Sequence, residues 1–165
     1  MNKFSIAAAF LVSGIVLAAC GGGGGGASSS MPAGGTSTSA AQPLSTAMLA
    51  GSPGYVAPNG HTVYVLSSDS FNNSTCTAGS GCVGLWPLVG STGGALPTGW
   101  WSFTRADSST QLEYAGWPLY MYSGDSAAGQ TNGSGIVSFG GTWSIARPGM
   151  ALASGTPTPP PGSSY

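Results

Sequence analysis

The sequence predicts an all-β protein: a small antiparallel β domain built from two similar repeats, held between a disordered N-terminal tether and a disordered C-terminal tail. Three observations point there. Turn-forming clusters recur at short intervals, at Pro58-Asn59-Gly60, Asn72-Asn73, Gly93-Gly94, Asn132-Gly133 and Gly140-Gly141. Between them lie short runs of β-formers at 61–67, 101–105, 111–115, 118–122, 136–139 and 142–146. Beyond the first 19 residues, no window longer than about ten residues carries helical periodicity.

The chain opens on Lys3 and an apolar run from Phe4 to Ala19, closed by Leu17-Ala18-Ala19-Cys20. A basic start, an apolar stretch and small residues at the cut make a secretory signal over residues 1–19. A cysteine at the cut is the mark of a bacterial lipoprotein signal, so Cys20 is expected to be the lipidated first residue of the mature protein. As a helix the run would span roughly 24 Å, short of a hydrocarbon core of about 30 Å, which favours a cleaved signal over a transmembrane helix. Residues 20–44 continue through Gly21 to Gly26 into an uncharged Ala, Ser, Thr and Gly stretch. Such a segment buries too little apolar surface to offset its ordering entropy and reads as a tether reaching roughly 25–30 Å. Gly21, rather than Asp, after the cysteine points to the outer membrane of a Gram-negative envelope. At the other end, residues 151–165 contain Thr156-Pro157-Thr158-Pro159-Pro160-Pro161-Gly162, a proline-rich tail unable to form helix or a central strand.

Between these ends, residues 45–150 form one modest domain. Its ionisable side chains are Arg105, Arg147, Asp69, Asp107, Glu113, Asp125 and His61, a net charge of about −2. There is no basic patch to neutralise a phosphate backbone, which excludes nucleic acid as a partner.

The domain is written twice. Tyr64 and Asp69 recur as Tyr120 and Asp125, and Trp86 recurs as Trp143, at spacings of 56 to 57 residues. In a strand, Tyr64 and Leu66 share one face, as do Tyr120 and Tyr122, while Val63, Val65, Leu119 and Met121 take the other. Both faces are apolar or aromatic, as in a strand buried between layers. Asp69 and Asp125 then fall just past each strand, placed to accept backbone N–H groups and fix the turn. Alternatives for these carboxylates are a calcium site at Asp125 with Gln130 and Asn132, or a catalytic pair.

Tyr120-x-Tyr122-x-x-Asp125 resembles the Tyr-x-(Phe/Trp/Tyr)-x-x-Asp motif of predicted bacterial lipoproteins, secreted repeats of unknown function. The resemblance extends through Thr104-Arg105-Ala106-Asp107, the run from Gln111 to Tyr120, and Cys82-x-x-x-Trp86-Pro87, and covers most of residues 61–148. Leu66 stands in the first copy where the second has Tyr122. The resemblance implies a class and an address, and transfers no catalytic residues.

Cys76 and Cys82 remain once Cys20 is set aside, and an even pair in an oxidising compartment reads as a disulfide. A redox role or a metal site are the alternatives. With His61 as the lone histidine, two thiolates cannot complete a tetrahedral zinc shell. A Ser-His-Asp triad would need His61, which follows a turn and reads as a surface residue. Asp107 and Glu113, the remaining carboxylate pair for glycoside chemistry, lie in a stretch expected to be polar and exposed. No catalytic residue, metal or cofactor is assigned. Most aromatics are expected in the core, with Trp100, Trp101 and Trp117 the candidates for partial exposure and ligand binding. The sequence therefore reads as a membrane-anchored lipoprotein with a non-catalytic binding or scaffold role. Its expected partners are the membrane, through the lipid, and an envelope protein or glycan. A glycan or small-molecule binding module and a redox accessory protein are the alternative roles.

Overall fold

The computed structural model describes residues 42–91 and 93–157. The signal, Cys20, the tether before residue 42 and the tail beyond residue 157 lie outside the described residues. In chain order the elements are β1 (Ser45–Leu49), β2 (Ser52–Val56), β3 (Tyr64–Leu66), a single-turn helix α1 (Cys82–Leu85), β4 (Trp100–Thr104), β5 (Thr110–Tyr114), β6 (Trp117–Pro118), β7 (Val137–Ser138) and β8 (Gly141–Ile145). They form three antiparallel sheets, ordered β1-β2, β3-β8-β7 and β4-β5-β6. The all-β antiparallel expectation is met.

The β1–β2 hairpin was not expected. Its loop is Ala50-Gly51, both at positive φ (47° and 82°), the two-residue turn whose twist suits a hairpin. Pro53 and Gly54 inside β2 hide it from a propensity reading. What secures it is tertiary: Arg147 donates from Nη1 to the Ser52 and Pro53 carbonyls (both 2.9 Å) and from Nη2 to Leu49 (3.2 Å). Leu49, Tyr55 and Val56 are buried behind it. The expected strand at 118–122 is also cut short. Pro118 has no N–H, and the segment beyond it turns to another partner: Met121 and Ser123 donate to the carbonyls of Pro87 and Leu85 (2.8 and 2.9 Å).

The duplication is explicit in the hydrogen bonds. Val63 donates to Tyr55 (3.0 Å), Tyr55 to Ala146 (2.9 Å) and Ala146 back to Val63 (2.8 Å). In the second copy Leu119 donates to Leu112 (3.0 Å), Leu112 to Val89 (2.9 Å) and Val89 back to Leu119 (2.8 Å). Each triangle borrows its third member from the other copy, so the halves exchange their last segments rather than sit side by side. Tyr64 and Tyr120 meet at the centre, each backbone N–H bonded to the other's carbonyl (2.8 and 3.0 Å). The copies differ where α1 and its preceding loop, closed by the Cys76–Cys82 disulfide (Cα–Cα 5.2 Å), replace the β7–β8 hairpin.

Alternation along the central strands divides the core as expected. Val63, Val65 and Leu119 pack with Tyr55, Trp100, Leu112 and Tyr114 on one side. Tyr64, Leu66 and Tyr120 pack with Trp86, Trp143 and the disulfide on the other. The packed body runs past the expected limits of 45 and 150. Gln42 accepts a hydrogen bond from Trp100 Nε1 and Leu44 is buried. Ala153 is buried and donates to the Ala115 carbonyl (2.9 Å), and Phe71 donates to Ser154 (3.0 Å). Beyond Ala153 the chain turns at Ser154-Gly155, with Gly155 at φ 80° and the Thr156 N–H on the Ala153 carbonyl (3.2 Å).

Candidate functional site

The repeated Tyr and Asp residues form a crossed brace. Tyr64 Oη donates to Asp125 Oδ2 and Tyr120 Oη donates to Asp69 Oδ2, both at 2.6 Å, so each copy's tyrosine is held by the other copy's aspartate. The second oxygen of each carboxylate pins its own loop. Asp69 Oδ1 accepts from Thr75 N and Oγ1 (both 2.7 Å), and Asp125 Oδ1 accepts from Asn132 N (2.9 Å). Burial, reinforced by the facing carboxylates, pushes both tyrosine hydroxyls well above their ordinary range, so they stay protonated donors. Burial also raises the Asp69 carboxyl, against its hydrogen bonds from Tyr120 and Thr75 and the charge of Arg105. Of the groups considered for calcium, Asp125 is engaged in the brace and Gln130 is engaged locally: Gln130 Oε1 accepts from Ala127 N (3.0 Å), and its backbone carbonyl accepts from Thr62 Oγ1 (2.6 Å). Among the described residues no three His, Cys, Asp or Glu side chains converge as metal ligands.

Behind the brace, Trp86 and Trp143 stack face to face, centroids 3.7 Å apart and planes within 4°. Tyr64 meets Trp86 edge-on at 5.5 Å and Tyr120 meets Trp143 edge-on at 5.1 Å, the same contact in each copy. Tyr122 covers the outer side of Trp86 at 4.4 Å. Cys76 and Cys82 are fully buried beside this stack, so their bond serves as a loop staple shielded from an incoming thiol.

The tryptophans do not form one surface. Trp100 is only 3% exposed and packs against Tyr55 and Tyr114, which overturns its reading as a partly exposed ligand residue. Its burial follows from β4 lying with Trp100 toward the core. Trp117 packs half-buried against the same cluster, its Nε1 donating to the Ala151 carbonyl (2.8 Å). Trp101 alternates to the opposite face, half-buried and edge-on to Phe71 at 5.6 Å.

On that opposite face lies a polar cluster the sequence reading missed. Glu113, expected to be exposed, is fully buried. Gln111 and Glu113 lie across from Phe103 and Trp101 in the β4–β5 register, and the loop after Phe71 covers them. Glu113 Oε1 accepts from Asn72 N (2.8 Å), while Oε2 is buried without a partner, and burial pushes the carboxyl up to about 7. Arg105, 8% exposed, donates from Nη1 to Ser74 Oγ (2.8 Å) and to Gln111 Oε1, and from Nη2 to the Cys76 carbonyl. Ser74 Oγ lies 2.5 Å from Tyr120 Oη, which ties this cluster to the brace. The alternation of Gln111 and Glu113 against Leu112 and Tyr114 marked a polar face, but nothing in it marked a covering loop.

Arg105 and Ser74 of this cluster line a recess of about 410 Å³ between residues 72–79 and 103–107, while Gln111 and Glu113 lie outside its lining. Asn72, Asn73 and Thr77 stand on one side and Phe103, Arg105 and Asp107 on the other. Asp107, exposed at the rim, is held below the usual carboxylate range by hydrogen bonds from Ser109. His61 lies apart at its turn, with its backbone N–H bonded to Asn59 Oδ1 (3.1 Å).

Residues 102–147 match the family model Lipoprotein_15, described as a secreted repeat of unknown function. The matched stretch runs from β4 through β8, which is the second copy of the duplication. No curated protein and no solved structure matches the chain. Among the described residues no helix is long and apolar enough to cross a membrane.

Proposed function

We propose that this protein is an extracytoplasmic lipoprotein, fixed to the cell envelope through acylated Cys20, whose duplicated β domain works by binding or scaffolding and not by catalysis. The observation that carries the reading is the crossed brace. The motif that gives the repeat its identity engages both oxygens of Asp69 and of Asp125 in holding the fold together. The motif is thus accounted for as a structural lock, and activity belongs to the surface that the lock supports. The match to a secreted repeat and the lipoprotein signal support the address. Gly21 supports the outer membrane, and the tether through residue 41 would let the domain meet an envelope protein or a glycan at a distance from the bilayer. The binding form of this reading gains from the 410 Å³ recess, which is within the size range of small-molecule sites.

Two measurements test it. In cells fed an alkyne analogue of palmitate, the full chain should take up label and fractionate with membranes, and Cys20→Ala should be unlabelled and released. Label on the Cys20→Ala chain, or an unlabelled wild type in the soluble fraction, would refute the anchor. Capture from envelope extracts should retain a protein or a glycan identified by mass spectrometry. A bait that retains neither, or that turns over an extract component, would refute the binding role.

A further inference from the structure

We infer that the recess between residues 72–79 and 103–107 is a binding site for a neutral saccharide. The inference rests on the non-catalytic binding reading above and names its site and ligand class. The recess pairs one positive with one negative side chain, Arg105 and Asp107, and no other ionisable group lines it. A site with no net charge has no preference for an anion or a cation, so selection falls to hydrogen bonding and shape.

The hydrogen-bonding groups open to a ligand are those of Asp107 and Asn72, and they are of mixed character. Arg105 is more than nine-tenths buried, yet its Nε–H has no hydrogen-bond partner and lies 3.8 Å from Asp107 Oδ2. That nitrogen is shielded from solvent, so Arg105 contributes its charge, and not a hydrogen bond, to a ligand in the recess. Asp107 engages Oδ1 with Ser109, while Oδ2 accepts no hydrogen bond among the described residues. Asn72 presents a side-chain amide that makes no hydrogen bond among the described residues. Its backbone is held at φ 56° by the bond from its N–H to buried Glu113. The set is therefore a fixed acceptor and an amide that both donates and accepts. Neighbouring hydroxyls on a sugar ring, each able to donate and accept, answer both at once. Phe103, half-buried in the wall, gives the apolar C–H face of such a ring a surface to lie on. A volume of 410 Å³ holds roughly one or two rings.

The test is titration of the full chain with maltose, cellobiose and N,N′-diacetylchitobiose at millimolar concentrations, followed by amide NMR shifts, with sodium phosphate as the anion comparison. At least one disaccharide should give saturable shifts centred on residues 72–79 and 103–107. Asn72→Gly, which keeps the positive φ without the amide, and Asp107→Asn, which keeps the Ser109 acceptor, should each weaken that binding by about tenfold or more at unchanged melting temperature. Absence of saturable shifts with all three sugars, shifts centred elsewhere, a recess that answers phosphate and not sugar, or variants that bind like wild type would each overturn the assignment. Membrane fractionation and protein capture do not depend on this recess, so its failure would be distinct from failure of the anchored-scaffold reading.

Discussion

Replacing Glu113 by glutamine should make the domain more stable at alkaline pH. Glu113 is fully buried, one oxygen holds Asn72 N, and the other has no partner, so ionisation places a charge where only one hydrogen bond receives it. Burial pushes its carboxyl to about 7, against an ordinary value of 4.5. At about 1.4 kcal/mol per pH unit, the gap amounts to roughly 3 kcal/mol. The folded chain holds this proton more tightly than the unfolded chain does. The contribution is therefore full below about pH 4.5, declines as pH rises through about 7, and levels off above that. Glutamine keeps an acceptor for Asn72 and has no proton to lose. Urea denaturation of wild type and Glu113→Gln from pH 4 to 9 reads the effect, with Asp69, whose charge also raises Glu113, included in the difference through that coupling. The difference should be small at pH 4 and grow to about 3 kcal/mol in favour of the variant by pH 8.5. A difference that stays flat across that interval would refute the reasoning.

The remaining expectations concern the brace and the stack. Tyr64→Phe and Tyr120→Phe each leave a buried carboxylate oxygen without its donor and should cost about 1.5–3 kcal/mol by thermal or urea denaturation. Because the two tyrosines also exchange backbone hydrogen bonds, the double variant should depart from additivity by more than about 0.5 kcal/mol; losses below that size would show that the brace does not hold the halves. A Cβ on Gly133 would sit 2.8 Å from Trp86 Cη2 and 3.0 Å from Tyr64 Cζ, so Gly133→Ala should displace the stacked pair, shift tryptophan emission and cost about 1–3 kcal/mol. Gly84→Ala, where a Cβ meets nothing within 4 Å, is the matched control and should be neutral or slightly stabilising; equal melting temperatures for the two variants would refute the packing argument.

Much of the architecture was legible because duplication leaves a spacing that survives without coordinates. Tyr64 with Tyr120, Asp69 with Asp125 and Trp86 with Trp143 announced two units, and alternation around the tyrosines announced two cores. The β1–β2 hairpin was illegible because Pro53 and Gly54 argue locally against a strand that Arg147, far along the chain, secures. The candidate site was less legible still. Asp107 and Glu113 were expected in an exposed stretch and Arg105 was given no role, since nothing local says that the loop at 71–76 folds over β5. Trp100 and Trp101 are neighbours with opposite fates, and only the register of β4 says which one faces the core.

The sequence by itself determined what local chemistry and repetition encode: the lipoprotein signal ending at Cys20 as an expectation, the antiparallel β class, the duplication, and an even cysteine pair that the fold closes into a disulfide. The tertiary structure decided how the copies meet. They trade their final segments and cross their tyrosine–aspartate bonds, while the loop after Phe71 buries Glu113 and faces residues 103–107 across a recess. The physical reason is range. Turns, alternation and spacing act over a few neighbours or repeat at a fixed interval. The burial of Glu113 and the partners of Arg105 depend on segments up to about forty residues away, whose approach no local preference fixes.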